Sequence, residues 1–401
     1  MIRPATPHPS GGALAALLAG LAMLGPFSIS GYLPAFPQIQ ASLHASQFEV
    51  QQTLPAFLLA FSVMMLWHGA LSDAYGRRRV ILISLLIFLG ATFGCALAPT
   101  IQTLWAFRVL QGLSAGAGSV LGNVIIRDLH QGTRAARLIA LVSMIFAIGP
   151  AIAPLVGGWI VKLLDWRAFF LFILGYSLLL LACCQRYLSE SLPLTGRKPF
   201  RPGVLLHSYR QILASRLFLL KAGVLALNFS GMFLYVAAAP AFITRHLHLG
   251  PEQFGWQFIP MVSGIFLGSW LANRMAGKVP VARQVAIGYL CAICAACFNL
   301  GYHLFFSAAL PWSVLPIFFY ALGISIITPG VTLLVLELMP SLRGTVASCQ
   351  AFSMMLLASI TSGAIAPALS AHMSWLAAGQ LMFGTLGMLC WALARRHRRQ
   401  S

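Results

Sequence analysis

The chain has 401 residues, of which 59% are hydrophobic and 8% charged. Soluble domains carry about 25% charged residues, so a water-soluble fold of this size is excluded. Lys and Arg number 26 against 7 Asp and Glu, a net charge of +19 that in a soluble protein would point to nucleic acid; here the charges are sorted along the chain in a way that excludes that partner too.

Each membrane-crossing helix needs roughly 20 mostly apolar residues. The first such run, near 11–36, is longer than the core of a cleavable leader and continues through Pro26 and Pro34, so it reads as a span. Further spans are expected near 50–72, 79–98, 101–126, 138–161 and 167–185. After a basic connection come six more, near 217–243, 254–275, 282–306, 312–336, 345–369 and 374–394. The expected architecture is an all-α membrane protein of 12 transmembrane helices in two six-helix bundles, residues 1–186 and 217–401, joined by a cytoplasmic linker at 187–216. Two matched halves around one linker are the mark of a duplicated transporter.

Basic residues accumulate in loops on the cytoplasmic side. With both termini inside, 22 of the 26 Lys and Arg fall on that side, from Arg3 to Arg399. Only Lys162, Arg167 and Arg245 lie outside, and Arg108 alone sits within a span. All nine tryptophans lie near span ends, as interfacial anchoring requires. The positive charge is therefore a topology signal. The eight cysteines all fall in apolar runs; Cys291, Cys294 and Cys297 have no His, Asp or Glu beside them in their span, and read as small packing residues rather than a metal site.

Individual segments carry more. Span 1 holds "FSISGYLPAFP". The turn from span 2 to span 3, "GALSDAYGRRRV" at 69–80, places Asp73 and three arginines between apolar runs, with Gly76 allowing a tight turn. Span 4, "LWAFRVLQGLSAGAG", carries Arg108 with Gln111 one turn on, and small residues suited to close helix contact. It ends in Arg127-Asp128. Span 5 holds "GPAIAPLVGG" at 149–158, where Pro150 and Pro154 disrupt backbone bonding while Gly149, Gly157 and Gly158 allow close packing.

These motifs, in this order, resemble the major facilitator superfamily. Gly69-x-Leu71-x-Asp73-x-x-Gly76-Arg77-Arg78 is similar to its loop 2–3 signature, 104–118 to its span-4 signature, and 149–158 to the span-5 signature of its antiporters. "GYLPAFP" and "IIRDLHQGTRAAR" at 125–137 narrow the resemblance to bacterial drug-resistance exporters of the bicyclomycin-resistance (Bcr/CflA) type. The resemblance covers nearly the whole first half. It implies a monomeric inner-membrane secondary transporter, not an enzyme, that exports drugs or small amphiphilic metabolites by proton antiport through alternating access, without cofactor or metal. The alternative is a facilitative or importing carrier of the same fold. It also implies a cytoplasmic gate in which Asp73, Arg77 and Asp128 cluster near the start of span 11, around Arg343, with Gly76 and Arg127 alongside.

The chain departs from that pattern in span 1, where such exporters carry an aspartate before the M-Y-L-P segment and this chain has Ser30. Serine holds no titrating proton near neutral pH. None of the seven acids, Glu49, Asp73, Asp128, Asp165, Glu190, Glu252 and Glu337, is expected near mid-membrane. His68 in span 2, close to its inner end, reads as an interfacial histidine or a titratable alternative, and Asp73, Asp128 and Glu337 are further alternatives reachable from the cytoplasm in an open state. Candidate substrate-cavity residues are Ser30, Tyr32, Arg108, Gln111, Asn228, Tyr235 and Tyr320, because mid-span aromatic and amide groups contact varied apolar ligands.

Overall fold

In lipid a backbone must satisfy its polar groups within its own segment, and long apolar runs do so as helices. The computed structural model describes residues 11–400, and among them there is no strand. The helices are α1 (Gly11–Ser30), α2 (Phe36–Ser42), α3 (Gln47–Tyr75), α4 (Arg77–Leu97), α5 (Ile101–Ala115), α6 (Ala117–Leu129), α7 (Gly132–Leu163) and α8 (Trp166–Tyr187). There follow α9 (Pro202–Ala214), α10 (Arg216–Ala237), α11 (Gly255–Met275), α12 (Val281–Phe305), α13 (Leu315–Leu336), α14 (Arg343–Ile360), α15 (Ala366–Leu369) and α16 (Met373–Gln400). Arg3, counted above on the inner side, lies outside the described residues.

Polar caps start several helices. Ser46 and Glu49 form a reciprocal capping box at α3, and Asp165 accepts from the Ala168 amide at α8. Thr100 and Ser215 cap α5 and α10 in the same way. Four expected spans depart from one regular α-helix. Span 1 breaks between α1 and α2 at a 3-10 turn, Leu33–Ala35, where Pro34 cannot donate. Span 4 has a one-residue irregularity at Gly116, between α5 and α6, where the backbone stays in the right-handed helical region. Past α10 the chain makes a π-turn, Ala241–His246, and α14 passes through another, Thr361–Ile365, into α15. Span 5, by contrast, stays one helix of 32 residues through both prolines.

Among the described residues, eleven helical segments are long and apolar enough to cross a membrane. Twelve spans were expected; the segment expected near 254–275 forms α11, 21 residues long, but Trp256, Gln257, Pro260 and Asn273 dilute its apolar character. In the first half α1 packs on α6 and α7, α3 on α5, and α4 on α5 and α8. In the second, α13 packs on α11 and α12, and α16 on α10 and α12. Between the halves, α3 meets α14, and α7 meets α11 and the turn Pro251–Phe254. Such approaches require glycine at the crossing: a β-carbon on Gly112 would strike the Phe57 carbonyl, and one on Gly118 the Leu21 carbonyl. Cys294 and Cys297 differ from the expectation of buried packing, since both are exposed on the surface of α12.

Candidate functional site

Arg108 is fully buried where α1, α3, α4 and α5 meet, and no carboxylate accompanies it. Its guanidinium is held by neutral acceptors instead. It donates to Gln111 Oε1 at 2.6 Å, to the Ser28 carbonyl at 2.8 Å and to the Thr53 carbonyl at 3.4 Å. Tyr32 and Phe57 place their rings 4.3 and 4.4 Å from Arg108 Cζ, within range of cation–π attraction. Gln111 passes the network on to Thr92 Oγ1 at 2.9 Å, and the Tyr32 hydroxyl meets Thr53 Oγ1 at 3.1 Å. Ser30 is buried in the same region, two residues from the Ser28 carbonyl that Arg108 uses. Ser30, Tyr32, Arg108 and Gln111 are thus one neighbourhood, sealed inside the first half.

The second half has a matching polar interior without charge. Asn228 donates to the Tyr289 hydroxyl at 3.2 Å, and Asn299 donates to the Tyr235 hydroxyl at 2.7 Å and to Gln380 Oε1 at 2.9 Å. Gln257 donates to the Tyr235 carbonyl at 2.6 Å. Tyr320 is fully buried beside Gly231 and its hydroxyl has no partner. The candidate residues Asn228, Tyr235 and Tyr320 therefore fall into two amide–phenol pairs and one unpaired phenol. The network partners Thr53, Thr92, Gln257, Tyr289, Asn299 and Gln380 were not singled out from sequence; scattered polar residues in apolar runs are a signal, but not of which ones meet.

At the other end of α3, Arg77 donates to Asp73, to Asp128 Oδ2 at 3.2 Å and to Ser72 Oγ. Asp73, Arg77 and Asp128 thus come together. Arg127 and Arg343 are exposed and join none of the four ion pairs among the described residues. Where span 11 was expected to complete the cluster, the linker does so. Glu190 Oε1 accepts from the Arg77 amide at 2.8 Å, at the open N-terminus of α4. Ser191 donates to Asp128 at 3.0 Å, and the Lys198 amide to the Asp73 carbonyl at 3.1 Å. Phe200 packs its ring on Trp67 and Tyr75, and Tyr209 of α9 donates to the Leu66 carbonyl. Burial pushes the Tyr209 hydroxyl up to about 12, so it remains a donor. Gly76 sits at φ +97°, and a β-carbon there would strike Glu190. Glu190 was missed as a site residue, although an acid is rare enough in this chain to draw notice.

The span-5 glycines serve two different contacts. Gly157 lies against the Gly31 carbonyl within the first half, while Gly158 lies against the Pro251 carbonyl of the second. Gly149 touches Pro26. One turn past Gly158, Lys162 donates to Glu252 Oε1 at 2.8 Å, bridging the halves, and this hydrogen bond holds the Glu252 carboxyl below its usual range. Near the start of α3, Gln51 donates to the Ala237 carbonyl at 3.3 Å, Gln52 to the Gly363 carbonyl at 2.9 Å, and Ser359 donates to the Pro55 carbonyl at 3.1 Å. These half-to-half contacts all gather at one end of the spans. Among the described residues no cluster of three His, Cys, Asp or Glu could hold a metal.

Comparison with known proteins matches residues 18–362 to the family described as Major Facilitator Superfamily. The chain is 34% identical over 355 residues to an uncharacterized MFS-type transporter, YdgK, of Bacillus subtilis, covering 87% of each chain. It is 28% identical over 385 residues to multidrug resistance protein D of Escherichia coli, covering 94% of each. To a bicyclomycin resistance protein homolog of Haemophilus influenzae it is 27% identical over 269 residues, 67% of each. In fold it is similar to a partially occluded inward-open structure of the xylose transporter XylE from E. coli, with TM-score 0.71, 15% identity, and coverage of 95% of this chain and 96% of that one.

Proposed function

The chain belongs to the Major Facilitator Superfamily, as a membrane carrier of small molecules rather than an enzyme, and from that premise we propose that it exports drugs or small amphiphilic metabolites by proton antiport. Its site is an alternating-access pathway between two six-helix bundles, residues 1–186 and 217–401, with α11 as the twelfth span and 187–216 as the linker. The chain acts as a monomer in a bacterial inner membrane with both termini cytoplasmic. On that topology the seam made by Gly158, Lys162–Glu252, Gln51 and Gln52 is external and joins the halves on the outer side.

The observation that carries the reading is the use of the span-5 motif: Gly158 lets the end of α7 press on the Pro251 turn of the opposite half, so rocking the halves opens that contact. The names of the relatives, multidrug and bicyclomycin resistance, support drugs as cargo. Arg108 without a neighbouring carboxylate, and Ser30 in place of an acid, disfavour lipophilic cations relative to neutral compounds and weak acids. The missing span-1 acid also favours a second reading, a facilitative carrier.

Inverted vesicles carrying the protein separate the two. Under an imposed pH gradient, accumulation of chloramphenicol above equilibrium, abolished by a protonophore, is the result expected of the antiporter. Equilibration that ignores the gradient overturns antiport and leaves the facilitative carrier. Equal export of ethidium by wild type and Arg108→Ala would overturn the charge argument.

A further inference from the structure

An antiporter must hold a proton somewhere along its pathway, and the chain lacks the usual span-1 acid. All seven acids lie at helix ends or in loops, Glu337 among them as the cap at the end of α13. Among the described residues, one titratable group stands apart within the first half: His68, 1% exposed in α3, with neither ring nitrogen hydrogen-bonded. The Met64 carbonyl lies one turn back, but does not meet hydrogen-bond geometry. Buried polar groups without partners are rare and call for a reason.

Its position is informative. The ring lies against Gly116, the irregular residue between α5 and α6 in span 4. A β-carbon there would come within 3.5 Å of His68 Cε1 and Nδ1. On the other side along α3, Ser72 is four residues on, hence one turn away on the same face. Ser72 Oγ accepts from Arg77, which is paired with Asp73 and Asp128. The Asp73 side chain is 46% exposed. A line of hydrogen-bonded polar groups thus runs from an exposed carboxylate through Arg77 to Ser72, and the buried imidazole of His68 lies one turn beyond it, unbonded to it.

The charged groups around it are few. From its own helix comes Asp73, from α4 Arg77, and from α6 Arg127 and Asp128; the linker adds Glu190. The α1 helix has no ionisable residue. On α5, Arg108 is eight residues from Gly116, about 12 Å along the axis. The α14 groups Arg343 and Cys349 belong to the helix packed by Leu66, two residues from His68 and so on nearly the opposite face of α3.

We propose that His68 is the residue that holds the coupling proton, the place this chain uses instead of a span-1 carboxylate; the proposal rests on the antiport reading above. The neutral imidazole carries one N–H and accepts the proton on its other nitrogen. The imidazolium then sets a second cation one turn from the Arg77 cluster. It competes for the carboxylates of Asp73 and Asp128, so that loading and unloading the proton biases the cytoplasmic gate and the Gly116 irregularity together.

Chloramphenicol transport by wild type, His68→Gln and His68→Asn in inverted vesicles tests this. One pH unit of gradient, coupled one to one, supports about tenfold accumulation. Wild type is expected to reach it, and both variants to lose it while still exchanging chloramphenicol by counterflow, with a counterflow rate that no longer depends on pH. Variants that accumulate as wild type does overturn His68 alone. Variants that lose counterflow as well assign His68 a part in carrier movement, or in folding where the melting temperature also falls, and either outcome overturns it. A wild type indifferent to the gradient overturns the antiport reading and this inference with it. His303→Gln, another buried histidine without ring partners, is the control and should accumulate normally.

Discussion

Arg108 shows what one side chain does when its charge is taken into a packed interior. Its cost is offset by carbonyl and amide acceptors and by two aromatic faces, not by an ion pair. Hydrogen bonds to a charged group contribute about 1.5–3 kcal/mol each, so Arg108→Ala should lower the melting temperature of detergent-purified protein by several degrees. Arg108→Lys should not restore it, because an ammonium cannot match the planar fork. An unchanged melting temperature in either would show that the network contributes little. The residue was legible in the sequence as the one arginine inside a span. Gln111, one turn on, was legible with it; the other two acceptors were not, because Ser28 and Thr53 lie on two other helices and use their backbone carbonyls.

Among the elements, the linker is bound most unexpectedly. Composition marks 187–216 as basic and hydrophilic, which reads as a loop, yet it ties Glu190, Ser191 and Lys198 to the loop 2–3 cluster and seats Tyr209 on α3. Removing the Tyr209 hydroxyl should cost about 1 kcal/mol, one ordinary hydrogen bond. Tyr209→Phe should therefore expose the linker roughly fivefold more often to trypsin at its lysine and arginine sites, and unchanged cleavage kinetics would argue against a strap. Gly76→Ala combines a positive φ with a clash against Glu190, and should lower the melting temperature further than Tyr209→Phe. The spans read near 50–72 and 79–98 from apolar length match α3 and α4 to within three residues. The irregularities at Gly116 and after Ile360 were not readable, since a single glycine or a π-turn leaves hydropathy unchanged.

At the scale of the whole molecule the Lys162–Glu252 pair is a charged contact between the two halves, where α7 ends and α11 is about to begin. Because Glu252 has its carboxyl held low in this state, the pair's contribution is present above the ordinary carboxylate value and is lost as pH falls through the lowered one. An exposed pair of this kind contributes about 0.2–1 kcal/mol, so the effect is a modest shift of population. Spin-label distances between the ends of α7 and α11 should broaden as pH is lowered from neutrality to below the carboxylate range, and Glu252→Gln should show the broadened distribution already at neutral pH. A distribution that ignores both would remove the pair from the seam.

Sequence alone was enough to establish that this is a helical membrane carrier of the major facilitator type. Hydropathy is additive along the chain, and local signatures such as 69–78 and 149–158 keep their spacing wherever they fold. Tertiary structure decided that Gly158 and Lys162 of span 5 meet the second half, that the linker rather than span 11 completes the Arg77 cluster, and that Arg108 is bound by neutral acceptors. Each of these depends on side chains more than a hundred residues apart, or on separate helices, approaching within hydrogen-bond distance, and that is set by how helices cross and not by the order of residues within any one of them.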